Sequence, residues 1–144
     1  MSMRTSITWL RIACVVTIFI GVICALASYP ATASAWLFLF DLLSWPLNGD
    51  PAFFAADTRA VNAVLGGTMV GWGVLMYLLA TPELMSHNPA LPRMLLVALV
   101  AWFGVDSVGS LLAELPGNIV LNVAFMGLFV PPLVAIQRRL RDGA

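Results

Sequence analysis

Four uninterrupted apolar stretches, each near 20 residues long, dominate the chain: Ile7–Ala27, Thr58–Ala80, Pro92–Ala113 and Asn118–Ile136. An α-helix needs about 20 apolar residues to cross a hydrocarbon core of about 30 Å. In lipid every backbone N–H and C=O must be bonded inside the segment, so a helix is the form such a stretch takes. Little chain is left for anything else, since 61% of the 144 residues are hydrophobic and only 10% are charged. Soluble domains carry about 25% charged residues. The expected fold is one all-α membrane domain over residues 1–144, with four transmembrane helices and a short interfacial helix on the outer side.

Turn signals separate the stretches: "SYPATAS", "NGDP", "TPELMSHNPALP" and "ELPGN". Asp57 or Thr58 suits the N-cap of the second helix and Asn118 that of the fourth. Pro131-Pro132 is expected to kink or end the fourth helix, which leaves "LVAIQRRLRDGA" as a basic tail. The first stretch also resembles a secretory signal peptide, with Arg4 and Arg11, an apolar centre and Ala33-Ser34-Ala35. A retained first helix is the favoured reading, with Arg11 snorkelling to the headgroups.

Arginine placement sets the expected orientation. Arg4 and Arg11 lie at the start of the chain, and Arg138, Arg139 and Arg141 follow the last stretch. The 29–57 connection holds Asp41, Asp50 and Asp57 and no arginine. Both termini are therefore expected in the cytoplasm. Within that connection "SAWLFLFDLLSW" is apolar but too short to span. On a helix over about 33–45, Ser34, Asp41 and Ser44 share one face, with Trp36, Phe40, Leu43 and Trp45 elsewhere. An interfacial helix with tryptophans at headgroup depth is expected, and a re-entrant hairpin is the alternative.

Gly67 and Gly71, preceded by Ala63, place small residues four apart on the second helix. That spacing lets two helix backbones approach closely, within the chain or between copies. Gly66 and Gly73 form a second smooth stripe. The two cysteines, Cys14 and Cys24, are ten residues apart on one helix, about 15 Å along its axis, and cannot bond to each other.

The polar residues inside the apolar stretches are the main functional lead. Asp106, Ser110 and Glu114 follow i, i+4, i+8; Asn118 and Asn122 are i, i+4; Arg59 and Asn62 are i, i+3. From the helix rise, Asn62 and Asn122 lie about 6 Å inside the outer boundary and Asp106 about 12 Å. A charge at such depth costs at least about 2.5 kcal/mol, so it should face the bundle interior and find partners. Two readings stand: a polar pocket or proton-bearing site open to the outside, and a structural network with Arg59 pairing Glu114 or Asp106.

Other chemistry is missing from the sequence. There is no His/Cys/Ser triad set, no phosphate-binding glycine loop with lysine and no paired metal ligands. His87 is the single histidine and cannot build a His-rich metal site. Zero net charge argues against nucleic acid as a partner. Neither an enzyme nor a cofactor is expected.

The run "FDLLSWPLNGDP…LGGTMVGWGV…WFGVDSVGS…GNIVLNVAF" resembles a group of small, uncharacterised bacterial four-helix integral membrane proteins. The resemblance covers most of the chain and implies the bacterial inner membrane and a four-helix plan. It brings no activity and no site residues with it. The expected function is non-catalytic: binding a lipid-like or small amphiphilic molecule, or serving as an accessory subunit of a membrane complex. The alternative is a small oligomeric proton-coupled transporter or channel using Asp106. Expected partners are membrane lipid and other membrane subunits or further copies of the chain.

Overall fold

Ser2 starts the first helix, its hydroxyl accepting the Thr5 N–H at 3.0 Å. This satisfies one of the donors that a helix N-terminus leaves free. The computed structural model describes residues 1–44 and 53–142. Its helices are α1 (Met3–Leu26), α2 (Ser34–Leu43), α3 (Ala56–Leu79), α4 (Pro82–His87), α5 (Leu91–Leu112) and α6 (Pro116–Asp142), with a 3-10 turn at Pro30–Thr32. No strand occurs among the described residues. Four helices, α1, α3, α5 and α6, are long and apolar enough to cross a membrane. The expectations placed on Trp45 and Asp50 lie outside the described residues.

The helix ends follow local chemistry, in places not as expected. Thr81 precedes Pro82, a position that disfavours helix, so α3 stops and the Thr81 hydroxyl caps α4 by accepting the Leu84 N–H at 3.2 Å. α3 itself begins after Ala55, which offers no side-chain cap, rather than at Asp57 or Thr58. α6 begins at Pro116, ahead of the expected cap Asn118, because proline's fixed φ suits a first helical turn. α5 ends with the Leu115 N–H on the Ser110 carbonyl (2.9 Å) and the Glu114 N–H on the Leu111 carbonyl (3.1 Å). These paired bonds form a Schellman ending. It sets Glu114 at φ 56°, a left-handed conformation that costs a non-glycine residue about 1–2 kcal/mol.

Pro131-Pro132 does not end α6, which continues to Asp142. The prolines lack the N–H groups that would bond the Gly127 and Leu128 carbonyls. Packing offsets that loss: Phe129, Pro132, Leu133 and Ile136 are buried in one row along the helix. The segment expected as a tail thus supplies core residues.

α1 lies between α3 and α6, and α5 packs on α6. The contact of α1 with α3 runs through glycines. A Cβ added at Gly66 would collide with the backbone of Ala25 and Gly21, and one at Gly73 with Ile18. Seven residues apart, Gly66 and Gly73 share a face two turns long. The other small stripe is turned away: Ala63, Gly67 and Gly71 are exposed, and a Cβ at either glycine meets nothing within 4 Å. The expectation that this stripe seats a neighbouring helix of the same chain is therefore corrected. Helix rotation decides between adjacent positions, which differ by about 100°.

The main core gathers Leu10, Ala13 and Cys14 of α1 with Met76, Leu99, Phe129 and Leu133. Trp72 of α3 bridges to Trp102 of α5 and Phe129 of α6, with ring centroids 5.9 and 5.7 Å away. Arg11, expected to snorkel to the headgroups, is tied to the C-terminal end of α3. Its Nε donates to the Ala80 carbonyl at 2.9 Å and its guanidinium lies 4.8 Å from the Tyr77 ring centroid. It thus neutralises the negative C-terminal end of α3.

Candidate functional site

Helix direction brings the C-terminus of α1, the N-terminus of α3, the C-terminus of α5 and the N-terminus of α6 to the end of the bundle that carries α2. The polar residues singled out by spacing all lie toward this end, but they form two groups.

The first group is a seam between α5 and α6. Ser110 stands one turn after Asp106 and donates to its backbone carbonyl at 2.8 Å and to its Oδ1 at 3.4 Å. Asn118 reaches across from α6, its Nδ2 donating to Ser110 Oγ at 2.8 Å and to Asp106 Oδ1 at 3.2 Å. One turn further along α6, the buried Asn122 donates to Ser107 Oγ at 3.4 Å. Asp106 is thus met by neutral donors, and among the described residues no cation pairs with it. The expected pairing of Arg59 with Asp106 or Glu114 does not form. Arg59 instead donates from Nη1 to the Phe54 carbonyl at 3.2 Å. Glu114 lies beyond the end of α5 and is exposed, so the Asp106–Ser110–Glu114 ladder stops at Ser110. Ser107 was not singled out by spacing. Its signal was its place beside Asp106 and three residues before Ser110, on the same side of the helix.

The second group is the corner where α1, α2 and α3 meet. Asn62 is 3% exposed, and its backbone carbonyl accepts the Cys24 thiol at 3.4 Å. Its side-chain Nδ2, however, finds no acceptor among the described residues. Cys24 belongs to a small apolar cluster with Ala27, Ala33, Trp36 and Leu37. Trp36 is 6% exposed, and its indole Nε1 also has no acceptor among the described residues. Its ring lies 6.0 Å from Phe40, which meets Phe54 edge-on at 5.2 Å. Phe54 is the residue whose carbonyl holds Arg59. No hydrogen bond joins this corner to the α5–α6 seam among the described residues.

Chemically the groups differ. The seam is a network in which the Ser110, Asn118 and Asn122 side chains each donate to an acceptor. The corner holds two buried N–H donors, Asn62 Nδ2 and Trp36 Nε1, that meet no acceptor among the described residues, beside the apolar cluster of Cys24, Ala27, Ala33 and Leu37. An unmatched buried donor costs about 1–3 kcal/mol, and a group of this kind suits an oxygen acceptor on an otherwise apolar molecule. Among the described residues no cluster of three His, Cys, Asp or Glu is placed to hold a metal. Compared with protein families, with curated proteins and with solved structures, the chain matches none.

Proposed function

We propose that this chain is a non-catalytic, multi-pass protein of the bacterial inner membrane, with both termini cytoplasmic, that binds a lipid-like amphiphile at the α1–α2–α3 corner. The observation that carries the reading is the pair of buried donors, Asn62 Nδ2 and Trp36 Nε1, which meet no acceptor among the described residues. A carbonyl or phosphoryl oxygen would satisfy them while acyl carbons lie along Phe40 and Phe54. The same mode of action serves a stand-alone binding protein and an accessory subunit that presents the amphiphile to a larger complex.

Asn62→Leu tests the reading. It removes an unmatched donor, so the fold should keep or gain stability, by up to about 1–3 kcal/mol. Native mass spectrometry in mild detergent should show an amphiphile of lipid-like mass on the wild type and much less on the variant. Equal occupancy on both proteins would refute the corner as the binding site. The same spectra report copy number and any partner subunit.

A second reading rests on Asp106, a carboxylate within a membrane-length helix whose hydrogen-bond partners are all neutral. In that reading Asp106 carries protons in a small oligomeric transporter or channel.

A further inference from the structure

At the opposite end of the bundle, a groove of about 580 Å³ runs between Met1 and the last turns of α6. Pro131, Val134, Ala135 and Arg138 line it. Their spacing is i, i+3, i+4, i+7, one face of the helix, and it is not the face that enters the core through Phe129, Pro132, Leu133 and Ile136. Arg139 adds a second guanidinium, held in place by donation from Nε to the Met1 carbonyl. Arg138 has no hydrogen bond or ion pair among the described residues. Asp142 also lines the groove, but no ion pair joins it to either arginine among the described residues.

The register along α6 sets the depth. Arg138 lies 20 residues beyond Asn118, about 30 Å along the helix, which is the thickness of a hydrocarbon core. With Asn118 at one boundary, the guanidiniums reach headgroup level at the other. Pro131, Val134 and Ala135 then lie one to two turns deeper, where acyl chains begin.

We propose that this groove seats an anionic phospholipid. The phosphodiester oxygens would bond the Arg138 and Arg139 guanidiniums, whose planar donor fork matches phosphate geometry. The first acyl methylenes would lie on Pro131, Val134 and Ala135. The volume is that of a small-ligand site, and basic pockets at this depth are where anionic headgroups bind. Two guanidiniums against one carboxylate favour a headgroup with net negative charge and disfavour the added cation of phosphatidylcholine. The groove is remote from the α1–α2–α3 corner, so Asn62→Leu should leave phosphatidylglycerol binding here unchanged and remove only the lipid held at the corner, which keeps the two proposals distinguishable.

The test titrates the full chain in detergent with phosphatidylglycerol, phosphatidylcholine and soluble glycerol phosphate, reading bound lipid by native mass spectrometry. Phosphatidylglycerol should bind at least tenfold more tightly than phosphatidylcholine. Glycerol phosphate, with the charge but no acyl chain, should bind far more weakly. Each arginine at a membrane surface contributes on the order of fivefold, so Arg138→Gln with Arg139→Gln should weaken phosphatidylglycerol binding about 30-fold. Arg93→Gln removes an exposed arginine at the same end but outside the groove, and should change binding less than twofold. Val134→Trp keeps both arginines and fills the apolar wall. It should weaken phosphatidylglycerol binding at least fivefold, and it decides the matter if the double variant misfolds. Any of three results overturns the proposal: no preference for phosphatidylglycerol, an equal loss in Arg93→Gln, or unchanged binding in Val134→Trp.

Discussion

Asn118 joins two helices with one amide nitrogen, which serves both Ser110 and Asp106. That economy makes Asp106 the residue whose replacement separates structure from transport. Asp106→Asn keeps an acceptor at similar volume, and hydrogen bonds inside membranes average only about 0.6 kcal/mol. Its unfolding midpoint in detergent should therefore stay near that of the wild type. Asp106→Leu removes the acceptor and should cost about 1–3 kcal/mol. A proton-carrying Asp106 would show itself differently: Asp106→Asn would fold normally and abolish proton-coupled flux in liposomes. The seam was legible in the sequence because Asp106, Ser110, Asn118 and Asn122 repeat at helical spacing on either side of a Pro-Gly turn. Glu114 was misread because a helix end one residue away rotates a side chain off its ladder, and the Schellman bonds that fix that end are backbone bonds. The isolation of Asn62 was not legible at all, since it depends on which acceptors neighbouring helices bring.

α3 carries two small-residue stripes, and only one faces α1. Gly66→Leu would drive a side chain into the backbone of α1, with no flexible neighbour to yield. A loss of about 3 kcal/mol or more is expected, read as a fall in thermal stability. Gly67→Leu points into open space and removes a glycine that disfavours helix by about 1 kcal/mol. It should be neutral or mildly stabilising. If the Ala63–Gly67–Gly71 face joins two copies, Gly67→Leu would lower the copy number in native mass spectrometry while the single chain stays stable. Both stripes could be read from the sequence; the rotation that selects between them could not. α6 makes the same point, because proline's local rule for ending a helix is overridden by the buried row from Phe129 to Ile136.

Across the whole molecule, charge separates the two ends. Arg4, Arg11, Arg93, Arg138, Arg139 and Arg141 lie toward the end with the chain termini, while Arg59 alone lies toward the end with α2. By the positive-inside rule this asymmetry supports the proposed cytoplasmic termini. Cysteines introduced at two exposed positions, His87→Cys and Glu114→Cys, should label from opposite faces of the membrane, His87→Cys from the cytoplasm. Labelling of both from one face would rule out four crossings. The helix count and this asymmetry were legible because length, hydropathy and arginine positions are one-dimensional properties, whereas the order of packing is not. That order, with α1 between α3 and α6, has a consequence in time. α1 is made before α3 and α5, its neighbour α6 after them. Until α6 emerges, one flank of α1 is uncovered and the Asp106 carboxylate lacks Asn118. A chain interrupted before α6 leaves Asp106 and Ser110 without the amide that bridges them. One late helix thereby closes the core and the polar seam together.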